Sequence, residues 1–133
     1  MKPLYTIGYQ KLPLAQLVEI VRQLDALLVD CRLYPKSSWN LDYSRSNLEN
    51  VFGQRYIWKG RVLGGFDHVT SEGIDWIKQE REKRPLLLMC MEHDPWECHR
   101  HHTICGPYFS DAIHIRGRDR ILASDLKLPD SLS

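Results

Sequence analysis

The spacing of hydrophobic and polar residues predicts strands and helices that alternate along the chain. Between residues 13 and 24 the apolar positions recur at helical spacing, so we predict an amphipathic helix there. Other apolar runs are continuous, which is typical of strands that a parallel sheet buries on both faces. These runs predict strands over residues 4–8, 26–30 and 86–91.

Less regular segments complete the predicted order of elements. We expect a short helix over residues 46–52, a short strand over 56–58, a helix over 71–83 and a last strand over 112–115. The segment 32–47 is polar and aromatic, and a loop of this length in a compact domain is usually functional. We therefore predict one Rossmann-like α/β domain over residues 1–116, with a mostly parallel open sheet of about five strands and helices on both faces, and a polar C-terminal tail over residues 117–133.

The clearest helix start follows the buried run that ends at residue 91. Asp94 is a typical N-cap, Pro95 suits the first helical position because its missing N–H is not needed there, and Glu97 completes a capping box. Cys98 then falls in the first turn, and the Gly-Pro pair at 106–107 predicts the end of the helix. Thiol, carboxylate, imidazole and guanidinium groups crowd this junction between strand and helix, which makes it the predicted site.

Composition narrows the class of protein without identifying a reaction. The chain has 133 residues, of which 43% are hydrophobic and 26% charged, and a formal net charge of +1; this fits one domain and lacks the strongly basic balance of many nucleic-acid-binding proteins. No apolar run approaches the roughly 20 residues that span a bilayer, and no signal peptide precedes the first strand, so we expect a cytoplasmic protein with no membrane partner. In a reducing compartment, the four cysteines predict free thiols or a site rather than disulfides.

Several chemically active segments follow predicted strands. Because parallel connections return each strand with its carboxyl end on the same edge of the sheet, these segments are expected to meet there. That edge would collect Gly8, Tyr9, Asp30, Arg32, Gly64, Gly65 and residues 90–100.

An ordered set of short motifs runs through the same segments. It consists of Thr6–Tyr9, Val29–Arg32 with Pro35 and Ser37, Tyr56, Leu63–Gly65, Leu88–Glu92, Cys98–Arg100 and His114–Ile115, spread over residues 4–115. In this set the chain resembles a known family, the bacterial domain of unknown function 488. The resemblance implies a compact α/β fold and a common site, but no established reaction. It also adds Pro35, Ser37, Tyr56 and His99 to the substrate-binding residues that we expect at this edge.

The first chemistry that this edge suggests is work on a phosphate-bearing substrate, such as a nucleotide or a nucleic acid. Arg32 and Arg100 would clamp the anion, and Gly64-Gly65 would let backbone N–H groups approach it. Glu92 would act as general acid/base or as a carboxylate nucleophile, with Cys98 as a second candidate nucleophile. We favour the carboxylate, because this chain lacks the arginine that follows the nucleophilic cysteine in cysteine-loop phosphatases. This predicts a hydrolase or transferase without a cofactor.

Other uses of the same residues stay open. A nucleotide-binding or nucleic-acid-binding module without turnover would explain the arginines and glycines, but not the carboxylate beside them. A metal site would draw on Cys98, His102 and Cys105, which share one face of the predicted helix; because no Cys-x-x-Cys pair supports it, we predict no bound metal. Asp30 and Arg32 would alternatively form an internal salt bridge that pins the following loop to the sheet.

Overall fold

One six-stranded sheet is the centre of the fold. The computed structural model describes residues 1–36 and 40–126. Its strands are β1 (Leu4–Gly8), β2 (Leu27–Asp30), β3 (Tyr56–Trp58), β4 (His68–Val69), β5 (Leu86–Cys90), β6 (Ile113–Arg116) and β7 (Asp119–Leu122). All except β4 form the sheet, in the order β3-β2-β5-β1-β6-β7, and every pairing is parallel except that of β6 with β7. The predicted α/β class with a mostly parallel sheet is confirmed.

Helices pack against both faces of this sheet. They are α1 (Leu14–Leu24), α2 (Arg45–Phe52), α3 (Gly60–Leu63), α4 (Ser71–Glu80), a π-helical segment (Arg100–Cys105) and α5 (Gly106–Tyr108). The first helix buries Leu17 and Val21 in one half of the core, and α4 buries Ile74 and Ile77 in the other half. Within the described ranges, no helix is long and apolar enough to cross a membrane.

Residues 119–122 correct the predicted polar tail. They form β7, which pairs antiparallel with β6 and adds a sixth strand to the sheet. Gly117, at φ 58°, makes the tight turn between these two strands. The pattern missed β7 because an edge strand buries little surface: only Ile121 is half-buried, and its three neighbours in the strand are exposed. Residues 127–133 of the predicted tail lie outside the described part of the chain.

The predicted helix after Asp94 is interrupted at Cys98. Only Pro95–Glu97 forms a short 3-10 turn, and Cys98 is extended, with φ −125° and ψ 145°. Helical structure resumes at residue 99 and continues to residue 108, so the Gly-Pro pair does not end it. The side chain of Asp94 does not cap the turn, because its carboxylate accepts a hydrogen bond from Arg116 at 3.2 Å. The predicted capping box is therefore wrong.

Candidate functional site

Two cysteines and a histidine converge where β5 ends and the helical stretch 99–108 begins. Cys90 is the last residue of β5, Cys98 precedes the helical stretch, and His99 opens it. One donor atom from each of the three lies within 4.8 Å of the other two, and all three residues are buried. Cys90 and Cys98 are joined as a disulfide, which corrects the expectation of free thiols for this pair. Cys31 and Cys105 are free and buried.

Cys98 lies directly before the helical stretch 99–108 and accepts hydrogen bonds from its first turn. Its carbonyl oxygen accepts hydrogen bonds from the backbone N–H groups of His101 and His102, at 3.2 and 3.4 Å. Its Sγ accepts the backbone N–H of Arg100 at 3.4 Å. A helix N-terminus carries a partial positive charge that stabilises thiolates. In its reduced form, Cys98 is therefore well placed to carry a negative charge.

A backbone carbonyl fixes the orientation of the His99 imidazole. Nε2 lies 2.8 Å from the carbonyl oxygen of Leu63, so this nitrogen carries the hydrogen and donates it. Nδ1 is left as an acceptor and lies 3.6 Å from Sγ of Cys98. Burial lowers the pKa of His99 below its ordinary value, which keeps the ring neutral at pH 7. His99 was predicted to bind substrate, but it is directed towards the cysteines.

Arg100 is completely buried, and protein groups hold its guanidinium. Nε donates to the hydroxyl of Thr6 at 3.0 Å, and Nη2 to the carbonyl oxygen of His93 at 3.2 Å. Nη1 donates to the carbonyl oxygen of Glu92 at 2.7 Å and to Sγ of Cys90 at 3.1 Å. Burial lowers the pKa of Arg100 to about 10, so the side chain remains a cation at pH 7. At 0% exposure it does not reach a ligand, and the geometry does not support its predicted role as an anion clamp.

Arg32 is also held by a protein group. Its Nε and Nη2 donate to the two carboxylate oxygens of Asp30, at 2.8 and 2.7 Å. The hydroxyl of Tyr56 donates to the same carboxylate at 2.6 Å, and burial together with that carboxylate raises the pKa of Tyr56, so the hydroxyl stays protonated. Because Asp30 neutralises Arg32, this network favours the internal salt bridge over the shared phosphate clamp.

Packing and backbone shape explain the two glycines that were predicted to approach phosphate. A Cβ atom at Gly64 would lie 2.3 Å from the carbonyl oxygen of Gly60 and 2.9 Å from the backbone of Leu33. Gly65 has φ +68°, in the left-handed region that favours glycine, and leads the chain towards β4. These glycines are therefore needed by the fold whether or not a ligand binds.

Glu92 follows the end of β5 by two residues and is half-buried. Its negative charge acts on both His99 and Arg100, so the carboxylate lies close to the cysteine cluster. Among residues 1–36 and 40–126, none is seen to hydrogen-bond to this carboxylate. The predicted catalytic carboxylate is thus available for chemistry, unlike the two predicted arginines.

Tyr9 and Pro35, also predicted to bind substrate, make contacts within the protein. Tyr9 is buried and stacks on Tyr43, with ring centroids 4.4 Å apart. The carbonyl oxygen of Pro35 accepts the backbone N–H of Arg45 at 3.0 Å, which ties the loop after β2 to the start of α2. Ser37 lies outside the described residues.

The candidate metal ligands of the sequence do not come together as a group. Cys98 lies before the helical stretch, so its sequence spacing to His102 and Cys105 does not place the three side chains on one helix face. Burial raises the pKa of Cys105 to about 12, and its thiol packs in the core. The cluster that does form includes Cys90, which the helix pattern missed because this residue comes from a strand.

A chain of hydrogen bonds leads from Arg100 towards the surface. The hydroxyl of Thr6 accepts from Arg100 at 3.0 Å and is hydrogen-bonded to Nδ1 of His114 at 2.6 Å. Nε2 of His114 is in turn hydrogen-bonded to Nδ1 of His101 at 3.0 Å. Burial, helped by Arg100 and His101, lowers the pKa of His114 to about 3, which keeps this ring neutral. His114 is therefore a satisfied core histidine.

A cavity of about 320 Å³ opens at the carboxyl edge of the sheet, between α1 and the turn from β6 to β7. Its apolar walls are Ile7, Leu12, Ile20 and Ile115. Gly8 and His93 connect it to the predicted site, while Lys11 and Arg118 add two exposed cations. Neither cation belongs to a sequence motif, and residue 118 falls in the predicted tail, so the sequence gives no signal for them.

Cations lie over the rings of two half-buried tryptophans. The guanidinium of Arg45 lies over the ring of Trp58, 4.8 Å from its centroid, and Nζ of Lys59 lies 4.7 Å from that of Trp76. Each contact is a cation–π interaction that engages one face of the ring.

The comparisons with known proteins bear on one part of this site. Neither the curated proteins nor the solved structures include a significant match. A family model matches residues 66–104, a stretch that contains α4, β5 and the cluster of Cys90, Cys98 and His99. Over residues 66–104 the chain is thus similar to the family described as domain of unknown function DUF488, as its motifs predicted.

Proposed function

We propose that the protein is an enzyme, a hydrolase or a transferase, that acts on a small phosphate-bearing molecule of the nucleotide class. The observation that carries this proposal is the cavity of about 320 Å³ at the carboxyl edge of the sheet. Open parallel sheets place their ligands at this edge, and ligand pockets typically measure about 300–1,000 Å³, with apolar walls and a few polar groups. The cavity meets each of these criteria.

The lining of the cavity fits a ligand that is apolar at one end and anionic at the other. Its aliphatic walls suit a nucleobase. Lys11 and Arg118, for which no partner is seen among residues 1–36 and 40–126, would meet phosphate oxygens at the rim. Glu19 also lines the cavity, but Arg22 donates to its carboxylate at 3.1 Å and offsets its charge. These two cations replace Arg32 and Arg100 as the proposed anion-binding groups.

The catalytic group that we propose is the carboxylate of Glu92. Glu92 does not itself line the cavity, but it precedes His93, which does, and both residues belong to the turn after β5. As a general base, the carboxylate would take a proton from the attacking water or hydroxyl. Arg100 would act as a positioning residue, because its guanidinium holds the carbonyl oxygens of both turn residues.

Binding of nucleoside monophosphates tests the cavity. We expect Arg118→Ala to weaken the binding of a nucleoside monophosphate roughly tenfold, because one charge-assisted hydrogen bond is lost. Binding of the matching nucleoside should not change. Calorimetric titration of both ligands measures this.

Arg61→Ala is the matched control, since Arg61 is likewise an exposed arginine but does not line the cavity. Its affinity for the monophosphate should equal that of the wild type. Equal losses in the two variants would mean that surface charge alone attracts the ligand, and no binding by the wild type would remove the proposal.

Turnover separates an enzyme from a binding module. Once a bound nucleotide is converted by the wild type, Glu92→Gln should lower kcat roughly 100-fold or more, as removal of a general base usually does. Affinity for the nucleotide should stay about the same, because Glu92 does not line the cavity. Full turnover in a folded Glu92→Gln variant would exclude Glu92 as the catalytic base.

A further inference from the structure

We propose that Cys90, Cys98 and His99 bind one zinc ion when the two cysteines are reduced. Their donor atoms, two sulfurs and Nδ1, all lie within 4.8 Å of one another in a buried cluster. This site is separate from the proposed cavity, whose lining includes none of the three residues. Its test is therefore independent of the proposed function.

The imidazole and the nearer thiol already have the spacing of two ligands on one tetrahedral ion. With Zn–S near 2.3 Å and Zn–N near 2.0–2.1 Å, tetrahedral geometry places sulfur and nitrogen about 3.6 Å apart. Nδ1 of His99 lies 3.6 Å from Sγ of Cys98.

The surroundings of the three ligands match those of a metal site. A metal-bound histidine usually donates its other ring N–H to a carbonyl or carboxylate, as Nε2 of His99 does to Leu63. Each sulfur also receives an N–H: Cys90 from the guanidinium of Arg100 and Cys98 from the backbone of the same residue. Such donors stabilise thiolates, whereas a neutral sulfur is a weak acceptor.

Reduction has to precede metal binding. Two equivalents of an external thiol would break the Cys90–Cys98 bond, giving two protein thiols and one external disulfide. Zinc would then replace the two thiol protons and release them to solvent. We choose zinc because a mixed thiolate and imidazole set suits it, and three protein ligands with water in the fourth position is a known zinc arrangement.

Elemental analysis of reduced protein tests the proposal. The full chain would be reduced with a phosphine, mixed with one equivalent of zinc and separated from free metal by gel filtration. We expect one zinc per wild-type chain and a loss of zinc affinity of at least about 100-fold in Cys98→Ser, exceeding the 10–100-fold effect of outer-shell changes. Cys105→Ala should keep the zinc, because Cys105 is a buried free cysteine outside the cluster.

Two further measurements keep the test decisive. Glu92→Gln should also retain zinc, because Glu92 is not among the ligands. Cobalt added to reduced wild-type protein should give thiolate-to-cobalt charge-transfer absorption, which does not depend on whether a variant folds. Reduced wild type that binds neither metal, or Cys98→Ser that retains zinc as Cys105→Ala does, would overturn the site.

Discussion

Replacing Gly8 with alanine should abolish stable folding. A Cβ atom at Gly8 would lie 1.6 Å from the carbonyl oxygen of Glu92 and 2.4 Å from its carbonyl carbon. These atoms cannot move aside easily, because Gly8 pairs with Cys90 in the sheet and the same carbonyl oxygen accepts a hydrogen bond from buried Arg100. The free energy of unfolding should fall by more than about 4 kcal/mol, which is exceptional for a single substitution.

Gly65→Ala provides the comparison for this variant. A Cβ atom there would meet nothing within 4 Å, so only the positive φ of +68° opposes it. That strain costs about 1–2 kcal/mol. Urea unfolding followed by circular dichroism measures both variants. A Gly8→Ala protein that unfolds at the same urea concentration as Gly65→Ala would show that β1 does not pack tightly against the turn after β5.

The strands and long helices could be predicted because their signals are local. The pattern placed β1 at its observed bounds, while α1 begins one residue later than predicted and α2 one residue earlier. A strand buried on both faces must be apolar throughout, so its sequence identifies it without knowledge of its neighbours. An edge strand such as β7 has no such requirement, because one side and one edge face solvent.

The helix after β5 was predicted wrongly because tertiary contacts outweigh a local cap. The cap sequence at Asp94 is favourable, and a good cap contributes about 1 kcal/mol. Its carboxylate, however, accepts from Arg116, which the chain supplies at the end of β6. The buried Sγ of Cys98, which lies next to Cys90, accepts a hydrogen bond from the backbone N–H of Arg100. Neither partner is visible in the sequence around residue 94.

The location of the candidate site followed from topology, but the roles of its side chains did not. Parallel strands predict that their carboxyl ends meet, and the cluster, the salt bridge and the cavity all lie at that edge. A motif does not reveal whether an arginine is already neutralised, as Arg32 is by Asp30, or enclosed by backbone carbonyls, as Arg100 is. Lys11 and Arg118 do not belong to any motif, and only the folded structure shows that they lie beside the cavity.

Among substitutions that preserve the shape of the side chain, we expect Asp30→Asn to be the most destabilising. Asp30 is fully buried and accepts from Arg32 through both of its carboxylate oxygens, and Tyr56 donates to it as well. The amide removes the negative charge and turns one acceptor into a donor that faces the guanidinium. Breaking a buried ion pair from one side typically costs about 3–5 kcal/mol, because the remaining charge is left uncompensated. Urea unfolding at neutral pH measures this loss.

Asp111→Asn is the matched control, since it removes a carboxylate that also pairs with a buried arginine. Arg81 is 3% exposed, but Asp111 is 49% exposed. Water near residue 111 therefore replaces much of the stabilisation that the lost carboxylate gave to the Arg81 charge. Exposed ion pairs contribute about 0–1 kcal/mol, and we expect a loss near that range. A smaller or equal loss in Asp30→Asn would mean that Arg32 does not depend on Asp30 for its charge balance. The arginine would then be free to meet an external anion, and its predicted role in anion binding would need to be reconsidered.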